Sequence, residues 1–190
     1  SKVLGTYTMS YSTSKPNIYY YDGTVFFVIP DCNQSASMSV GVGYFDPSAP
    51  NSDGSYNISW GRTDIAFAAG VVPGSYGYVQ PIYDGVNGKL TVIACGGLEE
   101  GGRFSWSNYN MKTRSWEPGS YTRQFSQTYR HCYLQGYPDG NGGIYVVGIR
   151  DISLEFIGLK GVFNGVDYAW DEANLFHFPS IYSTNYTFHP

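Results

Sequence analysis

The sequence is poor in charge: 14% of its 190 residues are Asp, Glu, Lys or Arg, against about a quarter in ordinary soluble domains. Its 11 basic residues are outnumbered by 15 acidic ones, giving a net charge of −4, and no three like charges stand in a row. The basic patch that nucleic-acid binding requires is missing. We therefore expect no nucleic-acid partner.

Long apolar runs are also missing. The longest, such as residues 25–30 and 65–69, are far shorter than the roughly 20 residues that a membrane-spanning helix needs. We therefore expect no membrane insertion. The chain is nevertheless 42% hydrophobic and 18% aromatic, so it can bury enough surface to fold.

Cysteine is scarce and does not form a metal-binding pattern. Cys32, Cys95 and Cys132 are far apart in sequence and form no C-x-x-C motif. Structural zinc sites use closely spaced Cys or His ligands, so we predict no metal and no other cofactor. Three cysteines allow one disulfide with one free thiol, or three buried thiols, and the sequence leaves both open.

Helical periodicity is nearly absent, and residues 167–178 are the one candidate for a helix. Strand-forming segments rich in aromatic and β-branched residues recur instead,. Between them lie Asp-Gly pairs at 22, 53, 84 and 139 and Asn-Gly pairs at 87, 141 and 164. These pairs favour tight hairpin turns. The pattern predicts an all-β, antiparallel, hairpin-rich chain.

Three segments resemble one another: residues 17–32, 79–95 and 133–151. Each reads as an aromatic strand, an Asp-Gly turn and an apolar strand, with the size of a propeller blade around it. We predict one β-rich domain, 1–190, of about three propeller-like units at 15–76, 77–128 and 129–190. A β-sandwich or barrel built from hairpins is the alternative.

Part of the chain, residues 78–151, resembles the BNR or sialidase-like propellers. The segments that carry the resemblance are Gly88-Lys-Leu-Thr-Val, Phe104-Ser-Trp106 and Lys112-Thr-Arg-Ser-Trp116. The stretch keeps the Ser, Thr and Trp of the Asp-box turn of that family, as Ser107, Thr113 and Trp116, but lacks its Asp and Gly. The resemblance implies a propeller fold and, in an enzyme, an arginine cluster with a nucleophilic Tyr and an acidic partner.

A catalytic site is one interpretation of the polar residues around the third unit. Tyr129, Arg130 and His131 precede its hairpin, and Arg150 follows its apolar strand. Tyr and His with Arg could serve as base, acid and carboxylate clamp in a polysaccharide lyase. The alternative is that these side chains are solvated or packed at strand ends.

The aromatic excess favours binding over catalysis. Flat rings flanked by hydroxyl and amide groups suit sugars and receptor surfaces, and the candidate contact residues are Trp60, Tyr78, Trp106, Tyr109, Trp116, Arg130 and Trp170. The alternative is that most of these rings build the core. We expect a non-enzymatic module for glycans or a cell-surface receptor, lectin-like or resembling a viral capsid spike.

Two further functions stay open: a carbohydrate-active enzyme on a propeller, and a structural glycoprotein that forms homo-oligomers through its sheets. N-x-S/T triplets begin at Asn33, Asn57 and Asn185, and such triplets are acceptors for N-glycosylation. They favour an extracellular, secreted or virion-surface location.

Overall fold

A computed structural model describes residues 17–31, 37–66, 78–95, 103–118, 121–124, 135–150 and 155–178. Over these residues the chain forms thirteen strands and no helix, and every strand pairing is antiparallel. The prediction of an all-β, antiparallel, hairpin-rich chain is confirmed. In this part of the chain no helix is long and apolar enough to cross a membrane.

The strands form three open sheets in which strands adjacent in the chain pair with each other, except that the last strand of the second sheet pairs two strands back. Sheet 1 contains β1 (Asn17–Tyr21), β2 (Thr24–Asp31), β3 (Ser37–Phe45) and β4 (Ser59–Ala66). Sheet 2 contains β5 (Tyr78–Asp84), β6 (Lys89–Cys95), β7 (Arg103–Asn110), β8 (Ser115–Trp116) and β9 (Tyr121–Gln124). Sheet 3 contains β10 (Gln135–Pro138), β11 (Gly143–Arg150), β12 (Glu155–Phe163) and β13 (Tyr168–Phe178). Each sheet falls inside one of the three predicted units.

Sheet 2 has an interrupted outer strand. β8 pairs with the end of β7, at Tyr109 and Asn110, and β9 pairs with its beginning, at residues 103–106. The two short strands thus share the place that one strand holds in the other sheets. All three sheets follow the same four-position, up-and-down order.

The one helix candidate, residues 167–178, does not form a helix, because β13 (Tyr168–Phe178) occupies all of it except Asp167. Along this strand Tyr168 and Trp170 are buried, whereas Ala169 is exposed and Asp171 is half-buried. This is the period of two that a strand with one buried face requires. Aromatic residues at every second position pack on the neighbouring sheet, which a helix could not arrange.

Sheet 2 lies between sheets 1 and 3. On the side of sheet 1 the core consists of Phe26, Val28, Val40, Val42, Leu90, Val92, Tyr109 and Met111. On the side of sheet 3, Trp106 meets Trp170 edge to face, with ring centroids 5.3 Å apart. Sheet 2 is therefore covered on both faces, and sheets 1 and 3 each use one face in packing.

Candidate functional site

Stacking leaves one face of sheet 1 outside the packed core, and we call it the outer face of sheet 1. Cross-strand partners share a face of a sheet, and the register pairs Ile18 with Phe27, Tyr20 with Val25, Val25 with Phe45 and Gly43 with Trp60. The outer face therefore includes seven apolar side chains: Ile18, Tyr20, Val25, Phe27, Ile29, Phe45 and Trp60.

This face is apolar and accessible. Ile18 is 65% exposed, Tyr20 63% and Trp60 37%. Phe27 stacks on Phe45 with centroids 5.5 Å apart. A contiguous exposed apolar surface of this kind usually marks an interaction site.

A glycine sets the position of Trp60. The indole lies over Gly43, and a Cβ added at this position would come within 2.6 Å of the Trp60 ring. Because glycine has no side chain, the indole can lie flat against β3. The ring thus presents its other side outwards while staying part of the face.

Polar residues of the β3–β4 loop border the outer face. The Asp46 carboxylate accepts hydrogen bonds from the backbone N–H and the hydroxyl of Ser48, at 2.8 and 2.7 Å. The same pattern joins Asp53 to Ser55. These bonds lower the pKa of both carboxyl groups, so the loop is charged and shaped by local turns.

Sheet 3 also has an outer face, on the side away from sheet 2. It carries Tyr137, which is 57% exposed, and Val162, which is 51% exposed. Lys160 forms an ion pair with Asp139 at 2.9 Å and lies 5.3 Å from the centre of the Tyr145 ring. The hydrogen bond from Lys160 is the main cause that lowers the pKa of Asp139, so this charge is balanced locally.

Two carboxylates lie between sheets 2 and 3, where catalytic acids could be sought. Asp84 accepts bonds from the Tyr168 hydroxyl at 2.5 Å, the Asn87 side chain at 2.6 Å and two backbone N–H groups. Asp167 accepts from Trp106 Nε1 and Asn108 Nδ2, each at 2.9 Å. Both oxygens of Asp84 and Oδ1 of Asp167 are thus engaged in hydrogen bonds that help to join sheets 2 and 3.

No metal site is formed by the described residues, since none of their His, Cys, Asp and Glu side chains gather in groups of three or more.

The predicted contact residues separate by burial. Trp106, Tyr109 and Trp170 are buried between the sheets, where Trp106 packs against Trp170 and Tyr109 against Trp116. Trp116 is half-buried on the side facing sheet 1, near position 61. Of the four tryptophans, only Trp60 is among the exposed large hydrophobic residues of the described part.

Other predicted residues lie partly or wholly outside the described part of the chain. Tyr129, Arg130, His131, Asn33, Asn185, Cys32 and Cys132 belong to this group. For Tyr78, Cys95 and Arg150 the structure gives the strand positions, in β5, β6 and β11. Asn57 is exposed in the β3–β4 loop, and its amide donates to Asn51 Oδ1 at 3.1 Å.

The contact residues predicted from the sequence do not include Tyr20, Phe27, Phe45 or Tyr137. The sequence of β2 nevertheless indicated an interaction surface, because this strand is apolar on both faces, and strands of this kind are usually packed against other elements on both sides. What the sequence could not show is that, among the described residues, sheet 1 lies at one end of the stack and no sheet covers one of its faces.

The sequence matches no protein-family model and no curated protein.

Proposed function

We propose that this chain is a non-enzymatic binding module that recognises a protein surface through the outer face of sheet 1. The observation that carries the proposal is the exposure of Ile18, Tyr20 and Trp60 on one continuous face. Such a face is broad, apolar and bordered by a polar loop, which is the arrangement of a protein interface: an apolar core within a polar rim. Tyr and Trp are also the residues that most often dominate binding energy.

A glycan is the second candidate, favoured by the half-exposed Trp60 ring close in sequence to the amides of Asn51 and Asn57. Sugars bind to such rings when neighbouring amides are available as hydrogen-bond donors. Here Asn51 Nδ2 donates to Ser55 Oγ at 2.9 Å, and Asn57 Nδ2 donates to Asn51 Oδ1. Asn51 Nδ2 also donates to Asn57 Oδ1, at 3.4 Å. Much of the hydrogen-bonding capacity of the two amides is therefore used within the loop, which favours a protein surface for the outer face.

The enzyme alternative rests on Tyr129, Arg130, His131 and Arg150 and stays a prediction, as does the resemblance to sialidase-like propellers. An extracellular or virion-surface location is proposed with the binding role, because an apolar recognition face and the exposed Asn57 triplet suit a glycoprotein surface.

The proposal can be tested by probing arrays of purified cell-surface ectodomains and of glycans with the labelled chain, and by including the chain itself as one array position. We expect capture by protein, reduced at least tenfold by Trp60→Ser and by Tyr20→Ser. Val166→Ser is the matched control, since Val166 is 70% exposed in the β12–β13 turn, outside sheet 1. Capture by glycans alone, or capture that both face variants leave unchanged, would contradict the proposal.

A further inference from the structure

The first strands of the three sheets carry corresponding residues on each face. On the face that points in the direction from sheet 3 to sheet 1, these residues are Tyr20, Tyr83 and Pro138. On the opposite face they are Tyr19, Ile82 and Tyr137. Tyr20 and Tyr137 therefore lie on the outer faces of sheets 1 and 3. These residues correspond because they lie one and two positions before the last residue of the first strand that pairs with the second strand, ahead of the turn that connects the two. Neighbouring sheets should therefore meet through corresponding positions.

The junction between sheets 1 and 2 shows how these positions meet. The Tyr83 ring stacks on Tyr19, with centroids 5.5 Å apart and ring planes 6° from parallel. The Tyr83 hydroxyl donates to the Tyr20 carbonyl oxygen at 3.1 Å, and the Tyr19 hydroxyl donates to the Pro81 carbonyl at 3.3 Å. Stacking and two hydrogen bonds to backbone thus join the first strands of these sheets.

The same pair of residue types is present at the two ends of the stack. Tyr20, which corresponds to Tyr83, is 63% exposed on the outer face of sheet 1, and Tyr137, which corresponds to Tyr19, is 57% exposed on sheet 3. The junction between sheets 2 and 3 has Ile82 and Pro138 at these places instead. The two ends thus offer the two halves of a tyrosine stack already used inside the chain.

We infer that two copies of this chain join head to tail, with the outer face of sheet 1 of one copy packed on the outer face of sheet 3 of the other. Tyr20 of one copy stacks on Tyr137 of the other, as Tyr83 stacks on Tyr19 within the chain. This inference rests on the proposed function, because it names the protein surface that the outer face of sheet 1 binds.

A tryptophan supports the same arrangement. Trp170 pairs with Gly161 in register, as Trp60 pairs with Gly43, and each indole lies over its glycine. Trp170 faces the preceding sheet, where it packs against Trp106. Trp60 lies on the equivalent side of sheet 1, which faces outwards, in the cross-strand row of Ile18; Trp170 lies in the row of Pro138, the counterpart of Tyr20. The end of the stack therefore carries a tryptophan on the docking side, one cross-strand row away from the position of Trp170.

The number of sheets sets the size of the assembly. Head-to-tail contacts are heterologous, and they form either a closed ring or an open filament. Two copies of three sheets give six, within the four to eight blades of closed propellers, whereas three copies would give nine. We therefore expect a closed dimer in which both junctions are the same.

The test is sedimentation equilibrium combined with light scattering, from micromolar to several hundred micromolar chain. We expect a mass twice the 21.1 kDa of the chain. Tyr20→Ser and Tyr137→Ser should each shift the protein to the monomer, because either change weakens both junctions of a closed dimer. Val166→Ser should stay dimeric, and circular dichroism should show that all three variants fold.

A mixture of the two face variants separates head-to-tail joining from a symmetric pairing of like faces. A Tyr137→Ser copy keeps the sheet 1 face and a Tyr20→Ser copy keeps the sheet 3 face, so the mixture forms one intact junction and should regain dimer. In a dimer of like faces, one of the two variants alone would remain dimeric, which would overturn the inference.

Two other results would also overturn it: wild-type chain that is monomeric at every concentration, and oligomers that keep growing with concentration. If the wild type is monomeric while an ectodomain still captures it through Tyr20 and Trp60, the inference fails and the proposed function stands. If capture does not depend on these residues, the proposed function fails as well.

Discussion

The hydroxyls of two buried tyrosines are predicted to have opposite effects on stability. Tyr168 donates to the Asp84 carboxylate at 2.5 Å across the junction of sheets 2 and 3. Tyr109 is also fully buried, yet its hydroxyl has no hydrogen-bond partner among the residues that the structure describes. Replacing each tyrosine by phenylalanine removes one oxygen and leaves the ring in place, so the two variants isolate the hydrogen bond.

The loss of stability expected for Tyr168→Phe depends on the hydrogen bonds that Asp84 still accepts in the variant. A hydrogen bond to a charged group contributes about 1.5–3 kcal/mol. Asp84 retains the Asn87 side chain and two backbone N–H donors, so its charge is not left unpaired and the lower part of that range applies. We expect a loss of about 1.5–2 kcal/mol, and a melting temperature lower by roughly 3–8 °C for a chain of this size.

Tyr109→Phe should be neutral or stabilising by up to about 1 kcal/mol, because it removes a buried polar group that makes no compensating bond. Burial also raises the pKa of the Tyr109 hydroxyl above its ordinary value, which agrees with a site that disfavours charge. Urea unfolding followed by circular dichroism measures both variants, with the exposed Tyr20→Phe as control, expected within about 0.5 kcal/mol of wild type.

Equal losses of stability in the Tyr168→Phe and Tyr109→Phe variants would refute this reasoning, because the hydrogen bond made by Tyr168 alone would then have no effect on stability. A Tyr168→Phe variant as stable as wild type would show that the bond across the junction contributes nothing net.

Two further perturbations test the packing of the sheets. Gly161→Ala should lower the free energy of unfolding by about 1–3 kcal/mol through overpacking, because the new Cβ would lie 2.9 Å from the buried Trp170 ring. Gly43→Ala, made in the monomeric Tyr20→Ser variant, should lower it by less, because the exposed Trp60 ring can move away from the new Cβ. Equal losses of stability in the two cases would contradict this. In alkali, burial raises the pKa of Tyr19 to about 12 against about 10 in the unfolded chain, so the folded state retains a proton that the unfolded state loses. The free energy of unfolding should then fall as pH rises from about 10 to 12, and part of the tyrosinate absorbance at alkaline pH should appear only together with unfolding; complete ionisation in a chain that is still folded would contradict it.

The strands were predictable where composition and turn chemistry agreed. The Asp-Gly pair at 22 forms a two-residue turn with φ of 43° and 75°, because Tyr21 pairs directly with Thr24 and such turns need positive φ at both positions. Residues 167–178 were harder, since alternating aromatic residues over a short stretch fit a strand and a short helix alike. Only the partner strand β12 decided between them.

The candidate site was less predictable than the fold. All four tryptophans are similar in sequence context, but Trp106 and Trp170 are buried and Trp60 is exposed. The difference depends on whether another sheet covers the face that carries the ring, which no local pattern encodes. The tyrosines were also ambiguous, because Tyr19 and Tyr20 are neighbours in β1 that point to opposite faces.

The antiparallel hairpins of this protein and their grouping into three similar units follow from local sequence, because turn residues and strand propensities act over a few neighbouring positions. The tertiary structure alone decided which faces of those units are buried. Stacking covers both faces of sheet 2 and one face each of sheets 1 and 3. Tyr20, Trp60 and Tyr137 are exposed because no described sheet packs against the face that carries them. Burial depends on what lies across a junction, so the exposed apolar faces are defined only once the sheets are packed together.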